Sequence, residues 1–311
     1  MTKIGISAIG SYVPEKKLTN ADLEKMVETT DEWIVSRTGI RERRIAPDNI
    51  QASDMAIMAA QNCISHAKIK PEIIISSTGT GETNFPFQSS RVAEHFGLTN
   101  TAGFDLNAGC SGLIYAISAG FSLMKTFKYN NALITASEKM SYFTDYTDRA
   151  SCILLGDGAS SILLSSRNFE HEILTFDLGL DGTGSNLITL GAREGNRYFW
   201  QDGQKVFKFA VKKMCDVINS LKQNIKIGKN SNLFIIPHQA NMRIFETVAV
   251  RTGIPISNFI INIDRFGNTS SASIGIALDE ASKEDRFSRG DIILLIGFGA
   301  GLSWAGAAVR W

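Results

Sequence analysis

Three short stretches of the sequence carry side chains able to do covalent or electrostatic chemistry. Cys110 lies in NAGCSG (107–112), after a strand-like run at 103–106 and before the apolar helical pattern LIYAISAGFSLM. A cysteine on a strand-to-helix turn faces the positive end of the helix dipole, which favours the thiolate, the nucleophilic form. Its small neighbours Ala108, Gly109, Ser111 and Gly112 let a substrate and backbone N–H groups come close. The same place also suits a small buried cysteine packed at a helix start. His238 follows the apolar run LFII (233–236) through Pro237, and QANMR (239–243) then opens a helix. The carboxyl end of a strand in an α/β sheet is where ligands bind, although a satisfied core histidine fits there too. His66, His95 and His171 occur in helical or polar strand contexts and read as structural. Asn268, in FGNTSS (266–271), precedes a helical stretch; Gly-Asn is ordinary turn chemistry and Asn caps helices well.

The elements that must position these residues alternate. Apolar runs of strand length occur at 73–76, 132–136, 233–236 and 292–296, separated by helical stretches at 54–67, 110–127, 205–221 and 272–281. Continuous apolar strands alternating with helices indicate an α/β protein with sheets covered on both faces. A faint internal repeat accompanies the alternation. LGDGASSILLS (155–165) is similar to GFGAGLSWAGA (297–307), and DLNAGCSG (105–112) to DRFGNTSS (264–271), in the same order. The expected architecture is a duplicated α/β unit with halves 1–167 and 168–311. A pseudo-twofold relating the halves would bring the Cys110 and Asn268 turns to one point, with His238 beside them.

Composition narrows the class of function. At 311 residues, with 44% apolar and 20% charged residues, the chain is of ordinary globular make-up. Its 32 basic and 31 acidic residues give a net charge of +1, which argues against a protein that coats nucleic acid. Cys63, Cys110, Cys152 and Cys215 are scattered, with no CxxC pair, so no metal site is expected and the thiols are expected reduced, in the cytoplasm. The N-terminus lacks the long apolar core of a signal peptide. The uncharged stretch 292–309 reaches the lower length of a spanning helix, but Gly297, Gly299, Gly301 and Gly306 suit two buried strands and a turn, so no membrane span is expected.

With these residues in place, the chain resembles the β-ketoacyl-acyl carrier protein synthase III family of thiolase-fold condensing enzymes along nearly its whole length. The stretches that carry the resemblance are DEWIVSRTGIRERRIA (31–46), NAGCSG (107–112), LGDGA (155–159), HQANMR (238–243), GNTSSA (267–272) and GFGAG (297–301), all in family order. The resemblance implies a thiolase-like five-layered αβαβα fold with internal duplication, a homodimer, and no cofactor beyond the substrates. It implies that Cys110 attacks an acyl-CoA thioester, with the backbone N–H groups of Cys110 and Ala300 as oxyanion hole. His238 and Asn268 would donate to the thioester carbonyl of malonyl-acyl carrier protein during decarboxylation, with His238 neutral, and Phe298 would shield the reacting centre. Trp33, Arg37 and Arg149 match positions that hold the CoA nucleotide. Lys208, Arg243 and Arg251 match a basic patch for acidic acyl carrier protein. Phe85 matches a residue that reaches across the dimer and limits the acyl pocket.

Some features depart from the pattern. The 68–76 segment is several residues short, Gly109 stands where alanine is common, and Gln204 replaces a smaller or basic residue. The cluster Arg37, Arg41, Arg43 and Arg44 also offers salt bridges. The leading expectation is a decarboxylating Claisen condensation that starts fatty acid synthesis from a short acyl-CoA. A specialised-metabolism condensing enzyme of the same fold is the main alternative. A Cys/His acyl hydrolase is disfavoured because Asn268 offers an amide and no base, and an intact Cys/His/Asn set speaks against a mere docking module.

Overall fold

The computed structural model describes residues 3–65, 69–191, 197–229 and 231–311. Nine strands carry the architecture: β1 (Gly5–Tyr12), β2 (Ile73–Ser77), β3 (Ala102–Leu106), β4 (Asn131–Lys139), β5 (Asp157–Ser165), β6 (His171–Leu180), β7 (Leu233–Pro237), β8 (Ile292–Gly299) and β9 (Ser303–Arg310). They are hydrogen-bonded in the order β7-β8-β9-β6-β1-β5-β4-β2-β3. The run hinges at its middle, where β1 and β6 share only the pairs Gly5–Glu172 and Ile6–His171.

On either side of that hinge the topology repeats. In the first half β2 is parallel to β4, β4 antiparallel to β5, and β5 antiparallel to β1. In the second half β7 is parallel to β8, β8 antiparallel to β9, and β9 antiparallel to β6. Even the outermost parallel strand has its counterpart: β3 beside β2, and a parallel bridge from Phe259 to Ile235 beside β7. The duplication expected from the sequence is therefore present in strand order and direction.

The helices explain why the strands are so apolar. Those of eight residues or more, in chain order, are α1 (Asp31–Thr38), α2 (Ala52–Ile64), α3 (Gln88–His95), α4 (Gly112–Phe127), α5 (Gly203–Gln223), α6 (Met242–Thr252) and α7 (Ser273–Lys283). α2 and α3 cover the outer face of the first half, and α5, backed by α6, covers that of the second. α4 and α7 lie between the halves and touch strands of both. That stacking makes five layers. The middle helices must be apolar nearly all round, and α7 buries Ser273, Ile274, Gly275, Ile276, Ala277, Leu278, Asp279 and Ala281. Strands β5 and β8 are buried at every residue, as sheets covered on both faces require.

Three sequence expectations change in detail. The expected helix at 110–127 begins at Gly112, preceded by a 3-10 turn over Gly109–Ser111. The expected helix at 54–67 ends at Ile64; residues 66–68, with the start of the shortened 68–76 segment, lie outside the described residues. Among the described residues Arg43 forms no salt bridge of the expected kind. Its guanidinium is fully buried and donates to Leu18 O (3.1 Å), Asn20 Oδ1 (2.8 Å) and Ile153 O (2.7 Å), tying the N-terminal segment to the 153–155 turn, while Arg44 pairs with Glu42 at 3.4 Å. The 292–309 stretch is two strands, β8 and β9, with a 3-10 turn at Ala300–Leu302. Among the described residues no helix is long and apolar enough to cross a membrane.

Candidate active site

Cys110 sits in the 3-10 turn that opens α4, at the inner end of the first half. The C-terminal turn packs directly on it. A side-chain carbon at Gly299 would fall 2.7 Å from the Cys110 backbone nitrogen, and one at Gly109 (φ +55°) would fall 3.1 Å from the Ala300 nitrogen. The Ser303 hydroxyl fastens the two turns, reaching the Ala108 carbonyl at 3.0 Å and the Ser111 hydroxyl at 2.7 Å. The N–H-bearing backbones of Cys110 and Ala300 thus border one spot. We expect Gly299→Ala to push the Cys110 backbone away and lower the steady-state condensation rate about 10²-fold, because misplacement near 1 Å has that effect. An unchanged rate in a folded variant, checked by thermal melting, would show that this contact is unimportant.

His238 continues the β7 ladder, its N–H donating to Ile296 O at 2.7 Å. Only 1% of its surface is exposed. Nδ1 pairs with Ser273 Oγ at 2.8 Å, and that oxygen also accepts from the Gln239 N–H at 3.3 Å. A serine hydroxyl donating to Nδ1 leaves the proton of the neutral ring on Nε2, the other edge. Burial lowers the imidazole to about 3, with the backbone of Ser270 working weakly the other way. The ring is therefore neutral at physiological pH. Phe298 meets it edge-on, centroids 5.3 Å apart. Gln239, also buried, brackets the strand end: its amide donates to Pro237 O (2.7 Å) and Ile260 O (3.2 Å) and accepts from Asn262 N (3.1 Å).

Asn268 is held by backbone bonds on both sides, its N–H to Leu154 O (2.8 Å) and its O from Gly156 N (3.0 Å). Its Oδ1 accepts from the Ser270 N–H at 2.9 Å, which fixes the rotamer and turns the amide NH₂ away as a donor. Ser270, two residues later, opens the 3-10 turn Ser270–Ala272, which packs against the Cys110 turn, and its hydroxyl donates to Glu138 Oε1 at 3.4 Å. The fold brings Cys110, His238, Asn268, Phe298 and Ala300 together.

The expectation that the helix start holds Cys110 as thiolate is corrected. The thiol is partly accessible, yet closely surrounded by protein, and burial pushes it up to about 12. The Ser270 hydrogen bond lowers it and the Glu138 carboxylate raises it further. Desolvation of the anion is the largest effect on the thiol, because the 3-10 turn lies between two packed halves.

The binding positions divide. The exposed Arg149 and Arg37 flank the half-buried Trp33 ring, 4.8 and 5.9 Å from its centroid. Asn241 joins that cluster to α6: its Oδ1 caps the helix on Arg243 N (2.9 Å) while Nδ2 donates to Arg37 O (3.0 Å). Lys208 on α5 and Arg243 and Arg251 at the two ends of α6 are exposed on neighbouring helices. Phe85 stands apart, 85% exposed. Glu138, Ser270 and Ser273 were not singled out from the sequence; their only signal was adjacency to the GNTSSA stretch and to a strand end. The four cysteines are free, and no group of residues suited to hold a metal occurs among the described residues.

Comparison with known proteins places this geometry. The family model described as 3-Oxoacyl-[acyl-carrier-protein (ACP)] synthase III matches residues 104–182, and its C-terminal model matches 224–311. The chain is 40% identical over 326 residues to beta-ketoacyl-[acyl-carrier-protein] synthase III of Desulfitobacterium hafniense (strain Y51), covering 100% of this chain and 98% of that protein. It is 41% identical over 322 residues to the protein of that name from Caldanaerobacter subterraneus subsp. tengcongensis, covering 99% and 97%. The crystal structure of 3-oxoacyl-[acyl-carrier-protein] synthase III from Aquifex aeolicus VF5 superposes with a TM-score of 0.93 at 37% identity, over 99% of this chain and 100% of that one. Full-length identity of this order, on the same duplicated fold, makes the chain a member of the β-ketoacyl-[acyl-carrier-protein] synthase III family, acyltransferases of the thiolase fold that initiate fatty acid synthesis.

Proposed function

We propose that this chain carries out its family's condensation with Cys110, His238 and Asn268 as catalytic residues, taking a short acyl-CoA primer and malonyl-acyl carrier protein. The observation that carries the assignment is the packing of the Cys110 turn against the Asn268–Ala272 turn and the Ala300 turn, with Phe298 edge-on to His238. The Cys110 sulfur attacks the primer carbonyl, the Cys110 and Ala300 N–H groups receive the oxyanion, and CoA leaves carrying the thiol proton. The acyl group is then a thioester on Cys110. The malonyl thioester oxygen next lies between His238 Nε2–H and the Asn268 amide. Loss of carbon dioxide leaves a carbanion whose charge rests on that oxygen, and two fixed donors stabilise it. The carbanion attacks the acyl carbonyl, Cys110 leaves, and β-ketoacyl-acyl carrier protein is released. No step calls for a cofactor.

The Trp33, Arg37 and Arg149 cluster suits the CoA nucleotide, since stacking and guanidinium contact match a base carrying phosphates. Lys208, Arg243 and Arg251 suit an acidic carrier protein in the cytoplasm. Arg243→Glu is expected to raise the KM for malonyl-carrier protein about tenfold, more at low salt, while leaving primer loading unchanged. Equal loss of both half-reactions would refute the docking role. The halves 1–167 and 168–311 meet at the hinge between β1 and β6, and Phe85 reaches the acyl pocket of a second copy in a homodimer. A panel of acyl-CoA primers with malonyl-carrier protein tests the whole reading: β-ketoacyl product from a short primer supports it, and hydrolysis alone overturns it.

A further inference from the structure

Behind the Asn268 turn lies a buried cation with no place in the reaction just described. Arg43 is fully buried, and the acid beside it in sequence, Glu42, pairs with Lys17 and Arg44 instead. The guanidinium donates to neutral oxygens, from one nitrogen to Leu18 O (3.1 Å) and Asn20 Oδ1 (2.8 Å), from another to Ile153 O (2.7 Å). A buried cation without a counter-charge depends on such bonds, so the oxygens it meets are held in turn. Asn20, itself buried, passes the connection on: its amide donates to Asp31 Oδ1 and Ile40 O, both at 2.8 Å, one in the first turn of α1 and one just beyond its end. On the other side, Ile153 opens the segment that carries Asn268. Leu154 O accepts from the Asn268 N–H at 2.8 Å and Gly156 N donates to Asn268 O at 3.0 Å, a parallel bridge centred on Leu155 and Asn268.

Arg43 also packs on both sides of that bridge. A side-chain carbon added at Gly156 or at Gly267 would lie 3.2 Å from the Arg43 β-carbon, and one at Gly267 would come within 2.8 Å of Leu154 O. The Arg41 N–H, donating to Asp264 O at 2.9 Å, ties the same segment to the short helix Ile263–Phe266 that leads into Asn268. Contacts this close leave no slack, so a shift of Ile153 moves the Asn268 backbone. The amide follows, because the Ser270 N–H fixes its rotamer on that backbone. The Cys110 turn is fastened separately, by the Ala300 backbone and the Ser303 hydroxyl. We propose that Arg43 is a positioning residue for decarboxylation: its forked guanidinium, held between Asn20 and Ile153, sets the place of the Asn268 amide without touching substrate. This rests on Asn268 being a donor to the malonyl thioester oxygen.

The test measures the two half-reactions separately in the full chain. Arg43→Lys keeps the charge and the β-carbon against Gly156 and Gly267, but one ammonium lacks the fork that spans Asn20 and Ile153. The kcat for release of labelled carbon dioxide from malonyl-carrier protein should fall about tenfold, with KM and acyl loading from acetyl-CoA each within about twofold of the parent. Placed in an Asn268→Ala background, Arg43→Lys should slow decarboxylation no further, because the amide it positions is gone. A purely structural Arg43 would instead lower the melting temperature, reduce both half-reactions alike and add its loss to that of Asn268→Ala. That pattern would overturn the proposal, and so would unchanged decarboxylation in folded Arg43→Lys. Should Arg43→Lys fail to fold, Asn20→Ala decides, since it removes one of the oxygens that aim the fork. A fall in decarboxylation kcat of about threefold that disappears in the Asn268→Ala background supports the proposal, and an unchanged kcat overturns it. If Asn268→Ala alone decarboxylates at the parental rate, the role given to Asn268 fails and this proposal with it. If Asn268→Ala is slow and Arg43→Lys is not, the proposal alone fails.

Discussion

Cys110→Ser is expected to slow acyl loading from acetyl-CoA by about 10³-fold or more, where the parent protein gains one thioester-linked acetyl group. Intact-mass measurement, with hydroxylamine to cleave thioesters, reads the result. A variant that still acquired a thiol-linked acyl group would falsify the assignment. The size of the loss follows from the element: a serine hydroxyl here has the same fixed backbone and the same two N–H donors, but no base to activate it, since His238 is buried and sits at about 3. The pH dependence has a definite sign. Burial holds the Cys110 thiol near 12, so below that value the thiolate fraction grows about tenfold per pH unit. Loading by the free enzyme should therefore accelerate steadily from neutral to alkaline pH until another step limits it. A plateau in the neutral range would mean the thiol is already ionised there.

His238→Ala and Asn268→Ala are expected to lose malonyl decarboxylation by about 10²–10³-fold each while acyl loading falls far less, because each removes one donor from the developing oxyanion. Release of labelled carbon dioxide and acyl loading, measured separately, test the division of labour. If acylation fails first in both variants, the roles are wrong. The imidazole also sets a pH expectation. Its folded value of about 3 lies below the ordinary 6.5, so the ring stays an N–H donor at every pH above about 3, and His238 adds no inflection to decarboxylation near neutrality. The same displacement acts on stability. Below the ordinary value the unfolded chain takes a proton that the folded site refuses, so the protein loses stability as pH falls from about 6.5 towards about 3. His238→Ala should flatten that part of the stability curve; an unchanged acid slope would show that the ring titrates normally in the folded state.

Much of this protein was legible in one dimension. The alternation of apolar strands and helices predicted an α/β fold because its period is set by the chain's own geometry. The repeated turns predicted the duplication that strand order and direction display. Cys110 and His238 were readable because each lies where a strand gives way to a helix, and Asn268 because its turn matches the Cys110 turn and precedes a helix. Trp33 and Arg149, far apart in sequence, lie together, the guanidinium 4.8 Å from the ring centroid.

What the sequence could not determine is how the neighbours of those residues treat charge. It suggested a thiolate from the helix start alone, a local effect. Only the tertiary structure shows the opposing effect, because desolvation depends on what packs around the sulfur: the Ala300 turn from one side, the Ser270 turn from another, and Glu138 behind. Glu138 itself was an unremarked acidic residue at a strand end, and its burial beside two serines from the other half comes from contacts 132 and 133 residues away in sequence. The sequence by itself determined which side chains bring chemistry and on which turns they stand, since local pattern encodes both. The protonation of those side chains was decided by the packing of one half on the other, since dielectric and hydrogen-bond partners are properties of three-dimensional neighbours.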